Sequence, residues 1–150
     1  MSAAVDRLQE DEIARRRALD LASFIVEAPA GAGKTELLTQ RTLRLLATVD
    51  HPEEVLALTF TNKAATEMRD RILGSLEAAL LPADNLPPHK AETRKWALAV
   101  LARDKALQWR LLAHPGRLLV PLNFPYGESQ DAVGPPGLWR ASLNNAREYL

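Results

Sequence analysis

Blocks of apolar and polar residues alternate along the chain and predict helices and strands in turn. Residues 5–20 are mostly polar and predict a solvent-facing helix. Short apolar runs at 23–28 and 54–60 are each followed by turn or helix-capping residues and predict buried strands. Between them, leucines at helical spacing predict a helix over residues 34–49. The order strand, helix, strand, helix predicts parallel strands joined by right-handed crossovers.

Two further helices are predicted after the second strand. Apolar residues recur every four positions after residue 61, and a second apolar face spans residues 91–113. The positions that define these faces, including two tryptophans expected in the core, are Met68, Ile72, Leu76, Leu80, Trp96, Val100, Leu107, Trp109 and Leu111. The pattern therefore predicts an α/β fold, with a parallel sheet flanked by helices.

The residue composition of the chain changes near residue 120. Residues 117–120, "RLLV", are compatible with a third strand. Residues 121–137 contain four prolines and three glycines, which disfavour regular structure. We therefore predict a partial domain at residues 1–120 and an irregular, proline- and glycine-rich tail at 121–150.

Composition limits the classes of function only weakly. Lysine plus arginine and aspartate plus glutamate both number 19, so net charge indicates neither a nucleic-acid nor a membrane partner. The absence of cysteine excludes disulfides and thiolate metal sites. No apolar run approaches the roughly 18 residues of a membrane-spanning helix, and the N-terminus has no apolar signal core. The cytoplasm is the expected compartment.

The segment A-P-A-G-A-G-K-T at residues 28–35 follows the first predicted strand and opens the next helix. It is close to the phosphate-loop pattern G-x-x-x-x-G-K-[ST]. Gly31 and Gly33 would let backbone N–H groups curl around phosphates, Lys34 would reach the β- and γ-phosphates, and the Thr35 hydroxyl would bind Mg²⁺. A purely structural turn of small residues is the alternative interpretation.

A second motif, "LALTFTNKAATEMRDRI" at residues 56–72, ends the second predicted strand and opens a helix. Ligands bind at the carboxyl ends of parallel strands, where this motif lies. Phe60 could stack on a base, Thr61 or Asn62 could cap the helix, and Lys63 and Arg69 could contact backbone phosphates. The alternative is that Phe60 belongs to the core and Thr61 only caps the helix.

Together the two motifs resemble those of superfamily 1 DNA helicases of the UvrD/Rep/RecB type, and "EAPAGAGKTELLTQR" is most similar to the RecB and AddA branch. The first loop position is commonly alanine in that family. The resemblance implies a RecA-like domain using ATP and Mg²⁺, with Lys34 and Thr35 holding the triphosphate and the metal ion. It further implies two kinds of partner, single-stranded DNA and a nuclease or helicase subunit, and no membrane. The implied nucleotide contacts are Ala28, Pro29, Ala30, Gly31, Ala32, Gly33, Lys34, Thr35 and Glu36, and the implied DNA contacts are Phe60, Thr61, Asn62 and Lys63.

Two departures from the family pattern shape the functional expectation. Residues 15–17 are arginines, expected on a solvated helix face or in contact with nucleotide, where the family usually places an adenine-reading glutamine. No strand ending in Asp-Glu follows residue 120, although hydrolysis needs such carboxylates. We therefore expect an N-terminal fragment of a DNA repair or recombination helicase, or of a helicase–nuclease subunit, that is inactive as a motor alone. A non-catalytic nucleotide- or DNA-binding remnant and a small phosphate-loop kinase are the alternatives.

Overall fold

The computed structural model describes residues 3–29, 31, 33–59, 61–118 and 120. Most of the described chain is helical, and a 3-10 helix stands at Pro52–Glu54 and another at Pro115–Arg117. The predicted tail at 121–150 lies outside the described residues, so the boundary at 120 stays a prediction. The α-helices of the described part are α1 (Ala3–Ala18), α2 (Lys34–Leu46), α3 (Asn62–Ala79) and α4 (Pro88–Leu107).

The core lies where α2, α3 and α4 meet. Both α2 and α3 pack against α4, and the apolar stripe predicted for α3 forms its buried face. Leu80, the last residue of that predicted stripe, lies just beyond the helix and is exposed. The apolar helical residues that are almost completely buried are Leu43, Leu46, Ala65, Ile72, Leu76, Ala97 and Val100.

The predicted helix over residues 91–113 begins earlier and ends earlier than expected. Pro88 occupies its first turn, where the missing N–H costs no hydrogen bond. Gln108 and Arg110 have left-handed backbone conformations, with φ of 55° and 59°, and the Asp104 carboxylate accepts the N–H groups of Arg110 and Leu111 at 2.9 Å each. The resulting turn buries Trp109, so this residue enters the core from a turn rather than from the predicted helix face.

The predicted parallel sheet is not formed within the described residues. Residues 23–29 have no regular secondary structure, and Val55–Thr59 contain a single bridge residue, Leu56. The predicted third strand begins in the 3-10 helix at Pro115–Arg117. A strand requires a neighbouring strand to pair with its N–H and C=O groups, and apolar sequence alone does not supply one. The strand predictions for 23–28 and 54–60 are therefore not met here.

Two arginines of α2 hold the chain that leaves α1. The Arg41 guanidinium donates hydrogen bonds to the carbonyls of Ala18, Asp20 and Ala22, at 2.5, 3.0 and 2.6 Å. Arg44 donates to the carbonyl of Leu19. The bond to Ala18 satisfies a carbonyl that the end of α1 leaves without an intrahelical partner, and the set of bonds fixes the chain after α1 against α2.

None of the helices in the described part of the chain has the length and apolar character needed to cross a membrane.

Candidate functional site: the phosphate loop

The glycines of the predicted phosphate loop have the backbone conformation that a tight anion-binding turn requires. Gly31 has φ of 79° and Gly33 has φ of 82°, both in the left-handed region that favours glycine. Gly33 caps the start of α2, and the first N–H groups of that helix have no intrahelical partners. The arrangement is the one expected at an anion-binding helix N-terminus. Ala30 and Ala32 lie outside the described residues.

Lys34 and Thr35 form the first turn of α2 beside this loop. The Lys34 ammonium donates a hydrogen bond to the carbonyl of Ala28, 2.7 Å away, which ties the two ends of the loop together. An ammonium has three N–H donors, so two remain for phosphate oxygens. Thr35 is exposed, as a residue that meets a ligand must be. Both residues fit the donor set that a Mg²⁺-bound triphosphate requires.

Glu36, the last of the predicted nucleotide contacts, is held by residues of α4. Its carboxylate accepts a hydrogen bond from the Thr93 hydroxyl at 2.5 Å and lies 3.9 Å from the Lys90 ammonium. Gln40 donates to the carbonyl of His89 and to the hydroxyl of Thr93, both on α4, at 3.0 and 3.2 Å. This network joins the first turns of α2 to those of α4. The sequence does not predict it, because no local pattern relates residues about 50 positions apart.

A cavity of about 280 Å³ lies beside the loop, between α1 and residues 24–28. Arg15 stands at its rim, paired with Asp11 at 2.8 Å, and its guanidinium would lie 3.3 Å from a methyl group placed on Gly33. Arg16, by contrast, has 79% of its side chain exposed and pairs with Glu12. Of the three arginines predicted either to face solvent or to contact nucleotide, Arg15 and Arg17 line this cavity, and Arg15 is the one that approaches Gly33.

In the second motif, Thr61 caps α3. Its hydroxyl oxygen accepts the N–H of Ala64 at 3.1 Å, which confirms the predicted capping role. Asn62 and Lys63 follow on the exposed first turn of the helix. Arg69, a candidate phosphate contact, instead donates to the carbonyl of Val120 at 3.0 Å. Phe60 lies outside the described residues, so its role as a base-stacking residue stays a prediction.

The predicted family resemblance agrees with comparisons to known proteins. A profile of the UvrD/REP helicase N-terminal domain matches residues 10–105, from the middle of α1 to the last turn of α4. The match covers more than half of the chain and includes both motifs. It also implies membership of the phosphate-loop NTPases, although the sheet typical of them is not formed among the described residues.

Helicases are among the similar proteins. An ATP-dependent helicase/nuclease subunit of Moorella thermoacetica is 45% identical over 73 residues, which are 47% of this chain and 5% of that protein. DNA helicase II of Haemophilus influenzae is 46% identical over 67 residues, 44% of this chain and 9% of that protein. The ATP-dependent DNA helicase PcrA of Leuconostoc citreum is 49% identical over 62 residues, 41% of this chain and 8% of that protein.

The chain spans less than a tenth of the length of each of these relatives. No solved structure matches it. The sequence profile and the conformation of the phosphate loop nevertheless agree, and the chain belongs to the UvrD/REP helicase N-terminal domain family.

Proposed function

We propose that this chain is the ATP-binding N-terminal portion of an ATP-dependent DNA helicase or helicase–nuclease subunit that acts in DNA repair or recombination. The observation that carries the proposal is the phosphate loop, with left-handed Gly31 and Gly33 and with Lys34 at the start of α2. Residues 28–36 contact the nucleotide, the Lys34 ammonium neutralises phosphate charge, and the Thr35 hydroxyl is a ligand for Mg²⁺. When bound, Mg²⁺ supplies charge neutralisation across the phosphate oxygens.

In this proposal, single-stranded DNA binds at the start of α3. Asn62 and Lys63 are exposed there, and Phe60 and Thr61 precede them in the chain. The Thr61 oxygen is engaged in capping, but its hydroxyl hydrogen can still be donated to a phosphate. The apolar segments 23–28 and 54–60 become strands of a parallel sheet when further strands pair with them.

We also propose that the 150 residues bind nucleotide without turning it over. They contain the loop that holds phosphate, but no strand that ends in the Asp-Glu pair expected to hold Mg²⁺ and orient water; the one such pair is Asp11-Glu12, on α1. Translation of the DNA downstream in all frames tests whether the chain is a fragment of a motor protein. A frame that encodes an apolar strand ending in Asp-Glu supports a fragment of a motor, and its absence from every frame contradicts that origin.

Equilibrium binding of labelled ATP with Mg²⁺ tests whether the phosphate loop binds nucleotide. Lys34→Ala removes the loop ammonium and is expected to abolish measurable binding. The control is Lys105→Ala, which removes an exposed lysine from the last turn of α4, remote in sequence from the loop. This control variant is expected to bind ATP normally. Equal affinity in the two variants would show that the loop is only a structural turn. Transfer of the labelled phosphate to small acceptors would instead favour the kinase alternative.

A further inference from the structure

A second cavity, of about 330 Å³, lies where α2, α3 and α4 meet the loop that follows α3. Three basic side chains line it, Arg71 from α3 and Lys90 and Arg94 from α4, against one carboxylate, Glu36. Small residues of α3, among them Gly74, form much of one wall and let charged groups from the helices approach each other. The remaining lining residues are Thr39, Ser75, Ala78, Ala79, Ala83, Leu86 and Thr93.

The positive charge of this cavity is only partly neutralised. Glu36 is engaged with Thr93 and lies 3.9 Å from Lys90, so this carboxylate offsets a single cation. Arg94 donates one hydrogen bond to the carbonyl of Ala78 at 3.0 Å and keeps its other N–H donors. The Arg71 side chain is exposed and makes no hydrogen bond or ion pair with the described part of the chain. In a chain of zero net charge, this is a local concentration of unneutralised guanidinium groups.

We propose that this cavity binds a backbone phosphate of a single-stranded polynucleotide, at a site that shares only Glu36 with the proposed nucleotide contacts and none of residues 60–63. Arginine and hydroxyl side chains are the groups that most often contact nucleic-acid phosphates. No aromatic side chain is among the described residues that line the cavity, so these residues offer no ring on which a base could stack. We therefore expect contacts to the phosphate backbone to dominate at this site.

The choice of a polynucleotide over an acidic peptide rests on the proposed function, because the charge alone suits both. The Arg71 guanidinium and the N–H groups of Arg94 that are not bonded to Ala78 predict a shallow dependence on salt. Each phosphate contact to a single strand contributes about 0.7 to the slope of log affinity against log salt. Loss of one contact should lower the magnitude of the slope by about that amount.

The test uses the full chain and a fluorescein-labelled oligo-dT of about 12 nucleotides, within the range of single-strand site sizes. Arg71→Ala is expected to weaken binding about tenfold, as loss of one hydrogen bond to a charged group does, and to reduce the salt slope. Arg7→Ala, which removes an exposed arginine from α1, is the matched control and is expected to bind like the parent. Equal affinity for Arg71→Ala and the parent, or equal losses in both variants, would overturn the proposal.

A second comparison separates this site from the DNA contacts of the proposed function. Asn62→Ala combined with Lys63→Ala should leave residual binding that Arg71→Ala then removes. If only the Asn62 and Lys63 changes weaken binding, the proposed function stands and the cavity proposal fails. If only Arg71→Ala weakens binding, the cavity proposal stands and the assignment of DNA contacts to Asn62 and Lys63 fails. Competition by poly-glutamate as strong as that by unlabelled oligo-dT would assign the cavity to acidic peptides and overturn the nucleic-acid assignment. Failure of the parent chain to bind the oligonucleotide would overturn both.

Discussion

Arg15 and Arg16 are neighbours on α1 with matching ion pairs but different surroundings. Each pairs with a carboxylate one turn earlier, at 2.8 and 2.9 Å. Only Arg15 faces the phosphate loop, where its guanidinium approaches Gly33. We expect Arg15→Ala to weaken Mg²⁺–ATP binding about tenfold, through loss of a charge-assisted contact to phosphate. Arg16→Ala removes an equivalent surface pair and should leave affinity unchanged. Unchanged affinity in both variants would place both arginines on a solvated face.

Gly33 has the strictest backbone requirement in the loop. A side chain there is strained by about 1–2 kcal/mol at φ of 82° and would also press on the Arg15 guanidinium. We expect Gly33→Ala to lower the free energy of unfolding by up to about that amount and to weaken nucleotide binding. Gly74→Ala is the control. It lies within α3 with no atom within 4 Å of the added methyl group, and should stabilise the helix by about 0.5–1 kcal/mol. Urea unfolding of both variants measures the difference, and destabilisation by both would contradict the local explanation.

At this scale the motif predicted the loop residues but not which arginine meets them. Lys34 and Thr35 are defined by their positions in a short pattern that carries its own chemistry. The direction in which Arg15 points depends on how α1 is fixed to α2 through Arg41 and Arg44, which are more than 20 positions away. Tertiary contacts of that kind produce no periodic pattern of residues from which they could be predicted.

At the scale of elements, an ion pair ties the 3-10 helix at Pro52–Glu54 to the one at Pro115–Arg117. The Arg117 guanidinium donates to both oxygens of Glu53, at 2.6 and 3.1 Å. Burial alone would raise the pKa of the Glu53 carboxyl, but the hydrogen bond from Arg117, together with other favourable interactions that include its charge, lowers the pKa below the ordinary value of 4.5. The carboxylate form is therefore stabilised by folding.

This shift predicts a dependence of stability on pH. A carboxyl whose pKa is lower in the folded state contributes stability at neutral pH, and that contribution is lost as the pH falls below 4.5 through the folded-state pKa. We expect Glu53→Gln to destabilise the chain at about pH 7 and to have a much smaller effect at about pH 3. Glu67→Gln, at an exposed position on α3, is the control and should show no such trend. A Glu53→Gln effect that is constant with pH would exclude the ion pair as its cause.

Helices were predictable from the sequence and strands were not. The face of α3 is encoded by a four-residue repeat within one segment, so its buried residues follow from local pattern. The end of α4 depends on the Asp104 side chain, which accepts two N–H groups beyond the helix. Residues 23–28 and 54–60 have strand-like composition, but pairing requires partners that composition does not specify.

At the scale of the whole molecule, the apolar segments beside the two motifs carry side chains that are exposed to solvent. Ile25 is 93% exposed, Leu58 60% and Val26 46%. Apolar residues of segments predicted to be buried strands favour association when uncovered. We expect the purified chain to self-associate, and the double change Ile25→Thr and Leu58→Thr to reduce that association in light scattering.

The matched control uses exposed apolar residues outside these segments. Leu98→Thr and Leu112→Thr change side chains that are 45% and 36% exposed on and after α4. They should leave association unchanged. Equal reduction by both pairs would indicate general surface hydrophobicity as the cause.

The contact between α2 and Trp96 gives the molecule an optical reporter. The Arg44 guanidinium lies 5.0 Å from the centre of the indole ring, and Lys95 lies 4.8 Å from it on the same helix as the ring. Because Arg44 belongs to the helix that the phosphate loop opens, any rotation of α2 alters the charge over this ring and therefore its emission. Trp109 is buried, and its indole donates to the carbonyl of Asp50 at 2.8 Å, so it provides a steady reference. The chain has one further tryptophan, Trp139, whose emission would overlap with that of the other two. With Trp139 replaced by phenylalanine, fluorescence can follow the phosphate-loop helix without an attached label.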